Sequence, residues 1–165
     1  MRPLPVVVAG LLLLSGCEAF GPSRVEHAVV TSVTVERLDL DRRWDGDLFS
    51  RNPPDVYVDV KSYSDRRSGT FGFQLPDYRS AVLENIEAGQ LPLTVRPLGD
   101  EAPRIALGDS MWINVSDRDG ALDDLMLTSG TFLLGDRYDG AEAGDYATFR
   151  FEDEGGAMRV TVRWD

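Results

Sequence analysis

Apolar residues recur at every second position over much of the chain. From Asp55 to Lys61, Val56, Val58 and Val60 alternate with Asp55, Tyr57, Asp59 and Lys61. The same period of two runs through Val29, Thr31, Val33 and Val35 towards Leu38 and Leu40, through Phe71, Phe73 and Leu75, and through Met158, Val160, Val162 and Trp164. Leu91–Val95, Met111–Val115, Leu125–Leu134 and Tyr146–Phe151 are further apolar segments set between Gly, Pro, Asp and Asn residues. Side chains of a strand point alternately to its two faces, so these runs predict strands. About eight of them in one chain predict an all-β domain, an eight-stranded antiparallel β-sandwich. Tyr78–Ala88 differs: Val82, Leu83 and Ile86 fall on one side of a short helix, with Gly89 placed to stop it.

The first residues read as an address. After Met1 and Arg2, Pro3 to Leu14 is almost without polarity, and Ser15-Gly16-Cys17 follows. An apolar run this short does not span a bilayer, which takes roughly 20 residues, but it suits a secretory signal peptide. Leu14-Ser15-Gly16-Cys17 resembles the bacterial lipobox. That resemblance implies cleavage after residue 16 and lipidation of Cys17, leaving a tether over 17–27 and a domain over 28–165. The lipid would hold the protein on a membrane of the bacterial cell envelope, on its periplasmic or surface-exposed face, without a transmembrane helix. His27, at the end of the tether, reads as exposed and without a role.

Composition narrows the function. The 165 residues suit one domain, with one Cys and one His. Those counts exclude an intrachain disulfide framework and the usual zinc sites. Net charge is −11, so nucleic acid is not an expected partner. The acids are 19 Asp and 9 Glu, and the bases are 16 Arg and the single Lys61. The skew suits either a compositional habit or a cation site, and position has to decide.

Two stretches concentrate the acids. Asp39 to Asp55 lies between the first two predicted strands, and Asp117-Arg-Asp-Gly-Ala-Leu-Asp-Asp124 lies between Val115 and Leu125. Two carboxylates about 4 Å apart repel by roughly 4 kcal/mol at an effective dielectric near 20. A cation, neighbouring Arg42, Arg43 and Arg118, or separation into water must offset this. Oxygen ligands without His or Cys suit Ca²⁺. An EF-hand does not fit, because counting from Asp117 puts Gly120 at position 4 and Thr128 at position 12, where that loop needs Gly at 6 and Glu at 12.

Val33-Thr-Val-Glu-Arg-Leu-Asp-Leu, then Trp44-Asp45, then Pro54-Asp55-Val-Tyr-Val-Asp-Val, resembles the opening of a C2 domain. Leu107-Gly-Asp-Ser-Met-Trp-Ile-Asn-Val-Ser-Asp-Arg-Asp-Gly-Ala-Leu-Asp-Asp-Leu resembles that family's strand and third calcium loop. The resemblance covers roughly residues 29 to 134. It implies an eight-stranded antiparallel sandwich with Ca²⁺ sites between loops at one end, where the ions bridge to phospholipid headgroups. Carried over residue by residue, Asp45 matches the first-loop Asp and Asp55 the Asp before the second strand. Asp117 and Asp119 match the paired Asp of the third loop, and Asp123 or Asp124 the later one. Asp47 is an outside candidate for the first-loop role. The sequence departs from the family in having Val56 after Asp55, a longer first loop and a shorter third. Trp44, Leu48, Phe49 and Leu122 sit among these acids, either as tips that insert into an interface or as caps that fold back on the sandwich.

Catalysis has little to stand on. His27 alone builds no Ser–His–Asp arrangement, Cys17 is spent on lipid, and Ser68-Gly69-Thr70-Phe71-Gly72 lies in strand-like sequence. The sequence therefore reads as a non-enzymatic, lipid-anchored envelope protein that binds Ca²⁺ at its acidic loops. The partner bridged there would be a phospholipid headgroup, a glycan or an envelope protein. The alternative is a metal-free structural or protein-interaction lipoprotein of the same fold.

Overall fold

The structure, a computed structural model, describes residues 24–40, 53–64, 76–97, 101–118 and 123–165. Nine strands lie in this part of the chain: β1 (His27–Leu38), β2 (Val56–Ser64), β3 (Tyr78–Arg79), β4 (Leu93–Val95), β5 (Arg104–Ala106), β6 (Asp109–Asp117), β7 (Asp124–Leu133), β8 (Tyr146–Asp153) and β9 (Gly156–Trp164). They form two antiparallel sheets. One runs β4-β1-β9-β8, with β5 also paired to β1, and the other runs β3-β2-β6-β7. The expected all-β antiparallel sandwich is the architecture found. Of the predicted strands, only 70–75 falls outside the described residues. Among the described residues no helix is long and apolar enough to cross a membrane.

The core lies between the sheets. Val30, Val33, Val35, Val58, Val60, Ile113, Val115, Met158, Val160, Val162 and Trp164 are all fully buried. β-Branched side chains dominate because they pack well on a pleated surface. In β1 the sequence pattern has the wrong phase at its start: Ala28 and Val30 are buried, not Val29 and Thr31. The register against β9 shifts between Val30 and Ser32 and again between Val35 and Arg37. Each bulge inserts a residue and flips the alternation, so a strict period of two cannot follow the strand.

The helix expected over Tyr78–Ala88 does not form. Tyr78 and Arg79 pair with Val60 and Asp59 of β2, and Leu83 bridges Val56. Asn85 turns through a left-handed φ of 56°. Backbone bonding to the β2 edge satisfies this segment's N–H and C=O groups, which outweighs a weak local helix preference. Only a single 3-10 turn, Ala88–Gln90, follows. The end of the expected tether also joins the fold: Val25 is buried, and His27 is partly buried and exchanges backbone bonds with Asp165.

Pairing sets which loops meet. Val56 of β2 lies opposite Asp117 of β6, and Asp117 lies opposite Asp124 of β7. The β8–β9 turn joins the same end, since Thr128 N–H donates to Asp153 Oδ2 at 3.2 Å. The end of β1 joins it too, because Asp39 N–H donates to the Gly155 carbonyl at 2.8 Å. The opposite end holds the start of β1, the β5–β6 turn and Trp164.

Candidate functional site: the acidic end of the sandwich

The described ends of both acidic stretches lie at this one end, because β6 pairs with β2 and β7 at Asp117 and the end of β1 is tied to the β8–β9 turn. Asp55, just before β2, is anchored three ways. Its N–H donates to Asp117 Oδ1 at 2.7 Å, its carbonyl accepts Arg118 N–H at 2.9 Å, and its Oδ1 accepts Asn85 N–H at 2.8 Å. Asp117 closes β6 and is only 1% exposed. Its parity is that of Ile113 and Val115, so it stands on the core-facing side of its sheet at the mouth of the sandwich.

Asp124 starts β7, Asp123 precedes it, and both are exposed. Asp124 is the ladder partner of Asp117. Asp123 is held elsewhere: Tyr57 O–H donates to its Oδ2 at 2.7 Å. Asp45, Asp47, Asp119, Arg42, Arg43, Trp44, Leu48, Phe49, Leu122 and Cys17 lie outside the described residues. Among the described residues, no three Asp, Glu, His or Cys side chains come together as a metal cluster.

Sequence reasoning missed two features of this end. The first is the Asp153-Glu154-Gly155 turn, a third acidic segment whose Asp153 carboxylate bonds Gly155 N–H at 2.7 Å. An acid pair followed by two glycines between alternating runs was the available signal. The second is a column on the outer face of the sheet. Arg79 makes two 2.8 Å bonds to the Asp59 carboxylate and stacks over the Tyr57 ring at 4.5 Å. Asp59 is buried although its alternation marked it as outward. The Asp59 pair holds the Arg79 guanidinium above its ordinary range.

Burial first, and then the hydrogen bond to the Asp123 carboxylate, push the Tyr57 phenol up to about 12 from an ordinary 10. Burial also raises Tyr63 and Tyr78. The folded state therefore keeps protons that the unfolded chain releases near pH 10. Stability from Tyr57 is full below pH 10 and is lost as pH rises towards 12. Urea midpoints measured across that window should fall. Tyr57→Phe should remove roughly 1–2 kcal/mol of the fall after allowance for solvent screening. An identical pH profile in the variant would show that Tyr57 is not responsible.

No protein-family model and no curated protein sequence matches the chain. Solved structures do. Over 87% of its length it is similar to the human GIVD cytosolic phospholipase A2 in complex with methyl gamma-linolenyl fluorophosphonate and terbium chloride, with TM-score 0.52 and 16% identity. It is likewise similar to the calcium-bound pair of C2 domains of extended synaptotagmin 2, with TM-score 0.50 and 14% identity over 87% of the chain. The fold is C2-like. The C2-like chain corresponds to only 18% of the phospholipase and 46% of the synaptotagmin chain. The phospholipase's catalytic activity therefore has no bearing on it.

Proposed function

We propose that this C2-like domain binds Ca²⁺ at its acidic end and uses the ion to engage the phosphate of an anionic phospholipid headgroup. The lipid on Cys17 would keep it at a membrane of the bacterial cell envelope. One observation carries the reading. The pairing of β2, β6 and β7 brings the described ends of the two acidic stretches, Asp55 and Asp124, beside the buried Asp117, whose Oδ1 accepts the Asp55 backbone N–H at 2.7 Å. Asp55, Asp117 and Asp124, with Asp45, Asp119 and Asp123 from the same stretches, are the residues that would hold the ion. Ca²⁺ takes six to eight oxygen ligands in flexible geometry, so a protein site of a few carboxylates leaves positions for phosphate oxygens. Bound there, the ion would supply the positive charge that lets these acids approach one another.

The test is a thermal melt of the full chain in detergent, with Ca²⁺, with Mg²⁺ at equal ionic strength, and with a chelator. A ligand that binds only the folded state adds about 2.7 kcal/mol at a hundredfold excess over Kd, a rise of roughly 5–10 °C for a domain of this size. The rise should be specific to Ca²⁺ and absent from Asp117→Asn. Anionic vesicles should then pellet the wild type with Ca²⁺ in preference to neutral ones. No rise at millimolar Ca²⁺ would leave the metal-free lipoprotein of the same fold.

A further inference from the structure

We propose that the outer face of the β4-β1-β9-β8 sheet docks flat on an anionic phospholipid membrane through its arginines, without Ca²⁺. Of the reading above it takes only the lipid on Cys17, not the ion or the acidic end. Strand parity builds the face. Met158, Val160, Val162 and Trp164 of β9 are buried, so Arg159, Thr161 and Arg163 point outward. In the ladder to β8, Arg150 lies opposite Arg159, Thr148 opposite Thr161 and Tyr146 opposite Arg163. On the other side, Thr34 lies opposite Arg159, and Val29 lies opposite both Arg163 and Arg104. The side chains of Arg37, Arg104, Arg150, Arg159 and Arg163 are 42–58% exposed.

Charge sets this face apart. Three carboxylates are shared among its five guanidiniums: Glu36 takes Arg150 and Arg159, Glu152 takes Arg37 and Arg150, and Asp165 takes Arg104 and Arg163. These groups sum to +2 on a chain of net −11. On the outer face of the other sheet, Lys61 and Arg79 are matched by Asp59 and by Asp77, which takes the Ser62 N–H. A guanidinium has five N–H donors in a fork that fits phosphate, so an arginine that shares a carboxylate keeps donors for a headgroup. The carboxylates of the other sheet stand about 10 Å behind, further than the Debye length of about 8 Å at physiological salt, so their repulsion is largely screened. Tyr146, 65% exposed, ends the row Arg104-Val29-Arg163-Tyr146, and its amphipathic ring suits headgroup level. That row lies at the start of β1. Cys17 stands eight residues before the buried Val25, a reach of at most about 29 Å. A lipid on Cys17 would therefore keep this row close to the bilayer, where a weak attraction acts within one molecule and suffices.

The test is NMR of the tyrosine rings in the full chain, with a chelator present. The chain is placed on phosphatidylcholine bicelles, or on the same with phosphatidylglycerol replacing about a third of the lipid, both doped with a gadolinium-chelate lipid. On the anionic bicelles Tyr146 should broaden, while Tyr63, outward on the other sheet, should not. Two uncompensated arginines at about fivefold each make docking about thirtyfold stronger there than on neutral bicelles. About 0.5 M salt should remove the difference. Arg159→Gln combined with Arg163→Gln should abolish it. Glu152→Gln should instead strengthen docking about fivefold, a gain that a damaged fold cannot give, so the test survives if the arginine variant does not fold. Equal broadening of Tyr146 on both compositions, or equal broadening of Tyr146 and Tyr63, overturns the proposal. Tyr146 shifts that follow chain concentration in place of anionic lipid would give the face to a second copy's acidic end, and overturn it likewise. A chain that diffuses free of neutral bicelles would sink the lipid anchor alone, and Tyr146 on anionic bicelles would still decide the face.

Discussion

Gly155→Ala is expected to cost more than about 3 kcal/mol and to lower the melting temperature by roughly 10 °C. A β-carbon at this position would sit 1.7 Å from the Met126 carbonyl oxygen and 3.0 Å from its carbon, with Asp153 Oδ1 at 3.2 Å. The first two obstacles are backbone atoms of β7, so no side-chain rotation relieves the contact. Either the β8–β9 turn or β7 must shift, and each carries bonds that fix the acidic end. Thr128 N–H and Gly155 N–H both donate to Asp153, and Asp39 N–H donates to the Gly155 carbonyl. Met126 lies two residues beyond Asp124, so any Ca²⁺ response should shrink along with stability. Gly108→Ala is the control, with nothing within 4 Å of its added carbon, and it should stay within about 0.5 kcal/mol of wild type. Urea unfolding of the three chains measures this, and equal midpoints for Gly155→Ala and wild type would overturn the account.

Trp164→Ala should be comparably damaging, at roughly 3–5 kcal/mol, but with a different functional result. Trp164 is fully buried at the end of β9. Tyr138 meets its ring edge-on at 5.2 Å and Phe149 at 6.3 Å, while Ala28 lies opposite it in β1. Truncation leaves a cavity lined by aromatic rings that the rigid strands cannot close. Trp164→Phe keeps most of the volume and should lose much less. Trp164 stands at the end of the sandwich remote from Asp117. Where Trp164→Ala still folds, any rise in its melt on adding Ca²⁺ should therefore equal that of the wild type, although its melting temperatures with and without the ion start lower. A rise abolished by Trp164→Ala would mean that the two ends are coupled.

The strands were legible where the pleat is unbroken. Val56, Val58 and Val60 announce β2, and Met158 to Trp164 announces β9, because burying one face demands a period of two. β1 was legible as a strand but not in phase at its start, since nothing in Val29 to Arg37 marks where the ladder to β9 takes up an extra residue. Tyr78–Ala88 misled because its spacing suits a helix, whereas its actual partners, Asp59, Val60 and Val56, stand about 20 or more residues earlier.

The candidate site divides the same way. Asp55 and Asp117 could be found from sequence, because each is an acid at the end of an alternating run and the acid-rich stretches begin or end there. That a single end of the molecule receives both stretches follows from the pairing of Val56 with Asp117 and of Asp117 with Asp124. Local alternation and residue type were enough for the all-β class, most of the core and the chemistry available to the loops. They were not enough to put Asp117 on the inner face, to let Tyr57 hold Asp123 on the outer one, or to set Arg79 against Asp59. Each of those depends on strand register, which is set by contacts between residues far apart in the chain.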